Sequence, residues 1–60
     1  MIGKIKSFSR MNGYGFVETD KGDIFFHILD CKTKPEVGQE VEFDIVESPK
    51  GLRAINVTTK

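Results

Sequence analysis

The sequence predicts an all-β fold, five short strands curled into a small closed or nearly closed barrel. Two observations carry this. Turn signals fall at even intervals, at Met11-Asn12-Gly13, Asp20-Lys21-Gly22-Asp23, Lys34-Pro35 and Ser48-Pro49-Lys50-Gly51. The runs between them are rich in Ile, Val, Phe and Thr, and no segment sustains the 3.6-residue apolar period of a helix. Closure follows because an open sheet of five strands would leave bare edges.

The five strands are read over about 2–10, 14–20, 23–28, 39–48 and 52–59. In the first and second, Gly3 and Gly15 interrupt the pattern and mark expected bulges. In the second, Tyr14, Phe16 and Glu18 share one face, and Gly15, Val17 and Thr19 share the other. Glu18 should be wet, so the two aromatics should face outward with it. Gly15 presents no side chain inward, which lets the barrel close tightly there. The Lys21-Gly22 turn is short enough to join strands two and three as a hairpin. In the third strand Ile24, Phe26 and Ile28 form the more apolar face and are assigned to the core, leaving Phe25 and His27 outside. Residues 29–38 have room for one short helical turn before Pro35 and Gly38 stop it. The fourth strand alternates Val41, Phe43 and Ile45 with Glu40, Glu42 and Asp44, one face buried and one wet. The fifth places Leu52, Ala54 or Ile55, and Val57 inward.

A chain of 60 residues is one domain, 1–60, without volume for a deep substrate cavity beside its core. The one cysteine, Cys31, has no intramolecular disulfide partner and is read as a plain free thiol in a reducing compartment. The N-terminus has no apolar run of signal-peptide length, and no stretch approaches the roughly 18 apolar residues of a membrane helix. The expectation is a cytoplasmic protein starting at its own initiator Met. Net charge is zero, but unevenly spread. Lys4, Lys6 and Arg10 near one end and Lys50, Arg53 and Lys60 near the other meet no acids there. All nine acids lie between Glu18 and Glu47, against three lysines, for a local charge of −6. If the two ends lay side by side, one face would be basic.

Pairing strands two and three gathers Tyr14, Phe16, Phe25 and His27 on one solvent-facing surface. A chain this short cannot spare four rings from its core without a reason. Single-stranded nucleic acid supplies one, because every base has a π-face that stacks on an aromatic ring. Lys6 and Arg10, on the neighbouring first strand, are placed to hold phosphates. His27 has no second His or Cys at ligand spacing, so no metal is expected, and neither is a cofactor or a small-molecule substrate. It has no evident nucleophile to activate, and no paired carboxylates mark a cleft, so the chain is not read as an enzyme.

At these residues the sequence resembles the cold-shock domain family. Asn12-Gly13-Tyr14-Gly15-Phe16-Val17 resembles the first ribonucleoprotein motif, and Asp23-Ile24-Phe25-Phe26-His27-Ile28 the second. Gly3-Lys4-Ile5-Lys6-Ser7-Phe8, Val37 to Phe43 and Gly51 to Thr58 fit as well, so the likeness covers the whole chain in order. The RNA-recognition-motif fold shares the first motif, but it needs two helices and the motifs in the opposite order. The resemblance implies an antiparallel five-stranded OB-fold barrel that binds single-stranded RNA and DNA with little sequence specificity. It implies an RNA chaperone or cold-shock-type regulator that keeps transcripts unpaired. Position by position, Lys6, Phe8, Tyr14, Phe16, Phe25 and His27 match the family's binding surface, and Lys50 stands where members often carry a basic residue.

The departures bear on affinity. Ser7 stands where the family usually has a stacking Trp, Asn12 where it has Lys, and Ile28 where it has an aromatic. The connection from Leu29 to Gly38 is short and lacks the family's Phe. A weak binder is expected, covering about three to four nucleotides with micromolar affinity. The alternative is a barrel whose platform has decayed and which meets a protein partner instead. A monomer is expected, with strand exchange through residues 29–38 as the route to a dimer.

Overall fold

A computed structural model describing residues 1–60 contains the five strands, each end within one residue of its expected place. They are β1 Ile2–Ser9, β2 Tyr14–Thr19, β3 Gly22–His27, β4 Glu40–Ser48 and β5 Gly51–Thr59. They close in the order β1-β2-β3-β5-β4, with β4 returning to pair with β1. Every pairing is antiparallel except the short parallel contact of β3 with β5, Phe25 beside Arg53 and Phe26 beside Ala54, which seals the barrel.

The core is eight side chains, each 3% exposed or less: Ile5, Val17, Ile24, Phe26, Val41, Phe43, Ala54 and Val57. Phe8, Cys31 and Ile45 pack half-buried against it. The expected inner faces of β2 and β4 are there, but three local expectations are overturned.

First, the bulges are not at the glycines. Gly3 pairs in register with Val41, and Gly15 with Phe8 and Phe26. What those positions need is closeness. A Cβ on Gly15 would lie 2.8 Å from Phe8 Cα and 3.0 Å from Phe26 Cζ. One on Gly3 would lie 2.6 Å from the Glu18 carbonyl oxygen. The extra residue of β1 is Lys6, between the Ile5–Val17 and Ser7–Phe16 pairs. The other irregularity opposes Phe43 to Asn56 and Val57, since Glu42 pairs with Thr58 and Asp44 with Ile55. Asn56 takes φ +52°, the left-handed region that Asn tolerates better than most residues. This shift turns both Ala54 and Val57 inward although they are three apart. Asn56→Gly should change stability by less than about 0.5 kcal/mol, whereas Asn56→Val should cost about 1–2 kcal/mol. Urea unfolding midpoints check this, and a neutral Val would contradict the bulge.

Second, Ile28 is not core. β3 ends at His27, and Ile28–Asp30 form a single 3-10 turn with Ile28 40% exposed. The turn is held by its own side chains. His27 Nδ1 accepts the Leu29 N–H at 3.1 Å, and Asp30 Oδ2 accepts the His27 N–H at 3.3 Å. Third, Leu52 is 47% exposed. β5 has no β3 partner before Arg53, so the β4–β5 hairpin overhangs the barrel and leaves Leu52 nothing inside to pack on.

The connection after the turn runs along β5. Cys31 bridges Val57, Lys32 N–H donates to the Val57 carbonyl at 2.7 Å, and the Thr33 and Thr59 hydroxyls share a hydrogen bond. Burial pushes the Cys31 thiol pKa up, and the Asp30 charge adds to the shift. No helix is long and apolar enough to cross a membrane.

Candidate nucleic-acid interface

The outer face of β2 and β3 is built by strand register. Tyr14 pairs with His27 and Phe16 with Phe25, so the four rings form a two-by-two array. Tyr14 and Phe16 are 38% and 37% exposed, and Phe25 and His27 are half-buried. Phe25 is the centre. Its ring lies 5.6 Å from Tyr14, tilted, and 6.1 Å from Phe16, edge to face. Those contacts fix the rings against each other and still leave faces open to solvent.

The bulge decides what β1 contributes. Because Lys6 is the extra residue, Lys6 and Ser7 are both exposed on the strand that flanks Phe16, while Phe8 turns inward. Phe8 pairs with Gly15 and stacks on buried Phe26 at 5.8 Å and 11°. It sits at the rim, half-buried, and not among the four rings of the array. Ser7 lies directly beside Phe16, a small polar residue at the platform's edge.

The cations surround this face singly. β1 and β5 are not neighbours, because β4 stands between them on one side, so the six terminal cations do not merge into one basic strip. Lys4 instead sits opposite Glu18 and Glu40. Lys6 Nζ donates to Asp23 Oδ2 at 3.0 Å, with both side chains well exposed. That hydrogen bond, with the carboxylate charge behind it, raises the Lys6 pKa above its ordinary value. Arg10 is exposed in the turn that leads to Tyr14, and Lys50 is exposed at the tip of the β4–β5 hairpin. The hairpin tip shapes a groove of about 620 Å³ against the platform, lined by Phe16, Phe25, Pro49, Lys50, Leu52 and Arg53. A second groove, about 670 Å³, lies away from the rings among Met1, Lys4, Glu18, Asp20 and Glu40. Three carboxylates against one lysine make it unfavourable for phosphate.

Arg53 was not among the site residues drawn from the sequence. It pairs with Phe25 and therefore stands on the same outer face. Alternation around Ala54 would have placed it there, but its neighbour across the parallel contact is not visible in the chain. His27 offers its ring to the array and also caps the turn after β3. Its Nδ1 is occupied by the Leu29 N–H, so the neutral ring carries its proton on Nε2. No three His, Cys, Asp or Glu side chains converge as metal ligands.

The family model described as the 'Cold-shock' DNA-binding domain matches residues 1–60. The chain belongs to the cold-shock domain family. Its members bind nucleic acid and are not enzymes. It is 44% identical over 61 residues to a cold shock-like protein of Aquifex aeolicus, covering 92% of this chain and 87% of that protein. It is 43% identical over 60 residues to cold shock protein CspD of Bacillus subtilis, covering 92% and 91%. Among solved structures it is similar to drosophila Unr CSD456, with a TM-score of 0.77 and 26% identity over 98% of this chain and 26% of that one. The cold-shock domain thus accounts for the five-stranded barrel.

Proposed function

We propose that this cold-shock domain binds single-stranded RNA and DNA by stacking bases on Tyr14, Phe16, Phe25 and His27, and that it acts as a cytoplasmic RNA chaperone. The observation that carries the reading is the two-by-two array of rings on the outer face of β2 and β3, none of them in the eight-residue core. Arg10 and Lys50 flank the array without a carboxylate partner and hold phosphates, and Lys6 exchanges its exposed Asp23 partner for one. Phe8 offers only its rim, since its face is on Phe26. The mechanism involves no bond making. The barrel binds an unpaired strand better than a duplex, and mass action draws the RNA out of its pairings. Weak, fast exchange suits that work. The protein works as a monomer, with residues 31–33 tied to β5 of the same barrel.

Titration of labelled oligo-dT and oligo-U tests this across a salt series. Micromolar binding should weaken with salt at a log–log slope of about −0.7 per phosphate contacted. Binding that ignores salt, or no binding at high micromolar protein, would favour a protein partner for this face. Ser7→Trp adds a ring beside Phe16 and should tighten oligo-dT binding roughly 5- to 100-fold in the same titration. An unchanged affinity in a folded variant would place the strand elsewhere.

A further inference from the structure

We infer that Arg53 reads the base stacked on Phe25, and that it selects bases presenting two adjacent acceptors, guanine foremost. The inference rests on the stacking proposal above and adds a specificity to it.

Arg53 stands next to Phe25 across the parallel β3–β5 contact, on the same face. Neighbouring strands are about 4.8 Å apart, so the edge of a base lying on Phe25 comes within reach of the guanidinium. The guanidinium is not loose. Its Nε donates to Asp30 Oδ2 at 2.8 Å, and Asp30 is only 14% exposed. The same oxygen accepts the His27 N–H, so the carboxylate is pinned to the end of β3. The hydrogen bond and charge of Asp30 raise the Arg53 pKa further, so the fork is always protonated. Both terminal nitrogens of Arg53 are without a protein acceptor, and the side chain lines the groove that Phe25 floors.

A phosphate is a poor match for this group. Its charge is already offset by Asp30, so what remains is a pair of parallel donors with little net field. Such a pair recognises two acceptors side by side. Guanine presents O6 and N7 in that way. Cytosine presents O2 and N3. Adenine, thymine and uracil have no adjacent pair of acceptors. Guanine also covers more of the Phe25 ring than a pyrimidine does. Asp30 acts here as a positioning residue, aiming the fork.

The test uses the whole chain and a set of short oligo-dT strands in which one central thymine is replaced by guanine, cytosine or adenine. The guanine strand should bind about tenfold tighter than the adenine strand, which controls for purine stacking, with cytosine between. Arg53→Gln should abolish that preference and leave the salt slope unchanged. Asp30→Asn should weaken the preference while tightening the all-thymine strand, because it frees a positive charge. A purely structural role for Asp30 would weaken every strand together. Circular dichroism checks that each variant folds. Equal affinity for all four strands overturns the inference and leaves the stacking proposal standing. So does a uniform loss in Arg53→Gln with a shallower salt slope, which marks a phosphate contact. Failure of the wild type to bind any strand overturns both.

Discussion

Replacing Phe16 and Phe25 together by Ala should weaken binding of single strands by about 30-fold or more and leave the barrel folded. The two rings face each other across β2 and β3, and Phe25 touches Tyr14 as well. Stacking is worth roughly 1–3 kcal/mol per base, so losing two platforms removes about 2–6 of the roughly 8 kcal/mol in a micromolar affinity. Neither ring belongs to the eight-residue core. The double variant should therefore lose the two ring contacts and the half-buried area of Phe25, about 1–3 kcal/mol. Fluorescence anisotropy with a labelled oligo-dT strand, beside a thermal melt, separates the two effects. Retained binding in the folded double variant would dismiss the aromatic array as the site.

Phe26→Ala should do the reverse, acting on stability first. Phe26 is fully buried, one residue along from Phe25 on the opposite face of β3. Removing a buried phenyl ring costs about 3–5 kcal/mol. A domain of this size has little more than that in total. The half-buried Phe8 would also lose the ring it stacks on. Urea unfolding at 25 °C should show a chain largely unfolded before denaturant is added. A stable, cooperative Phe26→Ala barrel would contradict the single small core. The contrast between Phe25 and Phe26 is a consequence of the two-residue strand period, with adjacent residues serving separate ends.

Much of this was legible in the chain because strand alternation is a local signal. Glu18 revealed which way Tyr14 and Phe16 face, and Val41 and Phe43 revealed the inner side of β4. The hairpin turns fixed which strands pair. What failed were the places where the period slips by one. A bulge at Lys6 turns Phe8 inward and brings Lys6 and Ser7 out together, yet no glycine marks it. The slip at Asn56 likewise left Ala54 and Ile55 undecided. The glycines that did stand out, Gly3 and Gly15, are there for close backbone approach. Ile28 reads as apolar core by composition, but the hydrogen bonds of His27 and Asp30 end the strand before it. The two ion pairs, Lys6 with Asp23 and Arg53 with Asp30, join residues far apart in the chain, so neither can be read from local pattern. The two basic ends are not adjacent strands, so the condition for a continuous basic strip is not met. Strand order, not chain position, sets which charges meet.

The proposed site for the strand lies across β2 and β3 and not elsewhere on the barrel. Amide and aromatic chemical shifts of the isotopically labelled chain, followed during addition of a four-nucleotide oligo-dT, test it directly. Shifts should concentrate at Tyr14, Phe16, Phe25, His27 and Arg53, extending to Ser7 and Lys50, in fast exchange. Shifts concentrated instead at the acidic groove around Ile2, Glu18, Asp20 and Glu40 would contradict it.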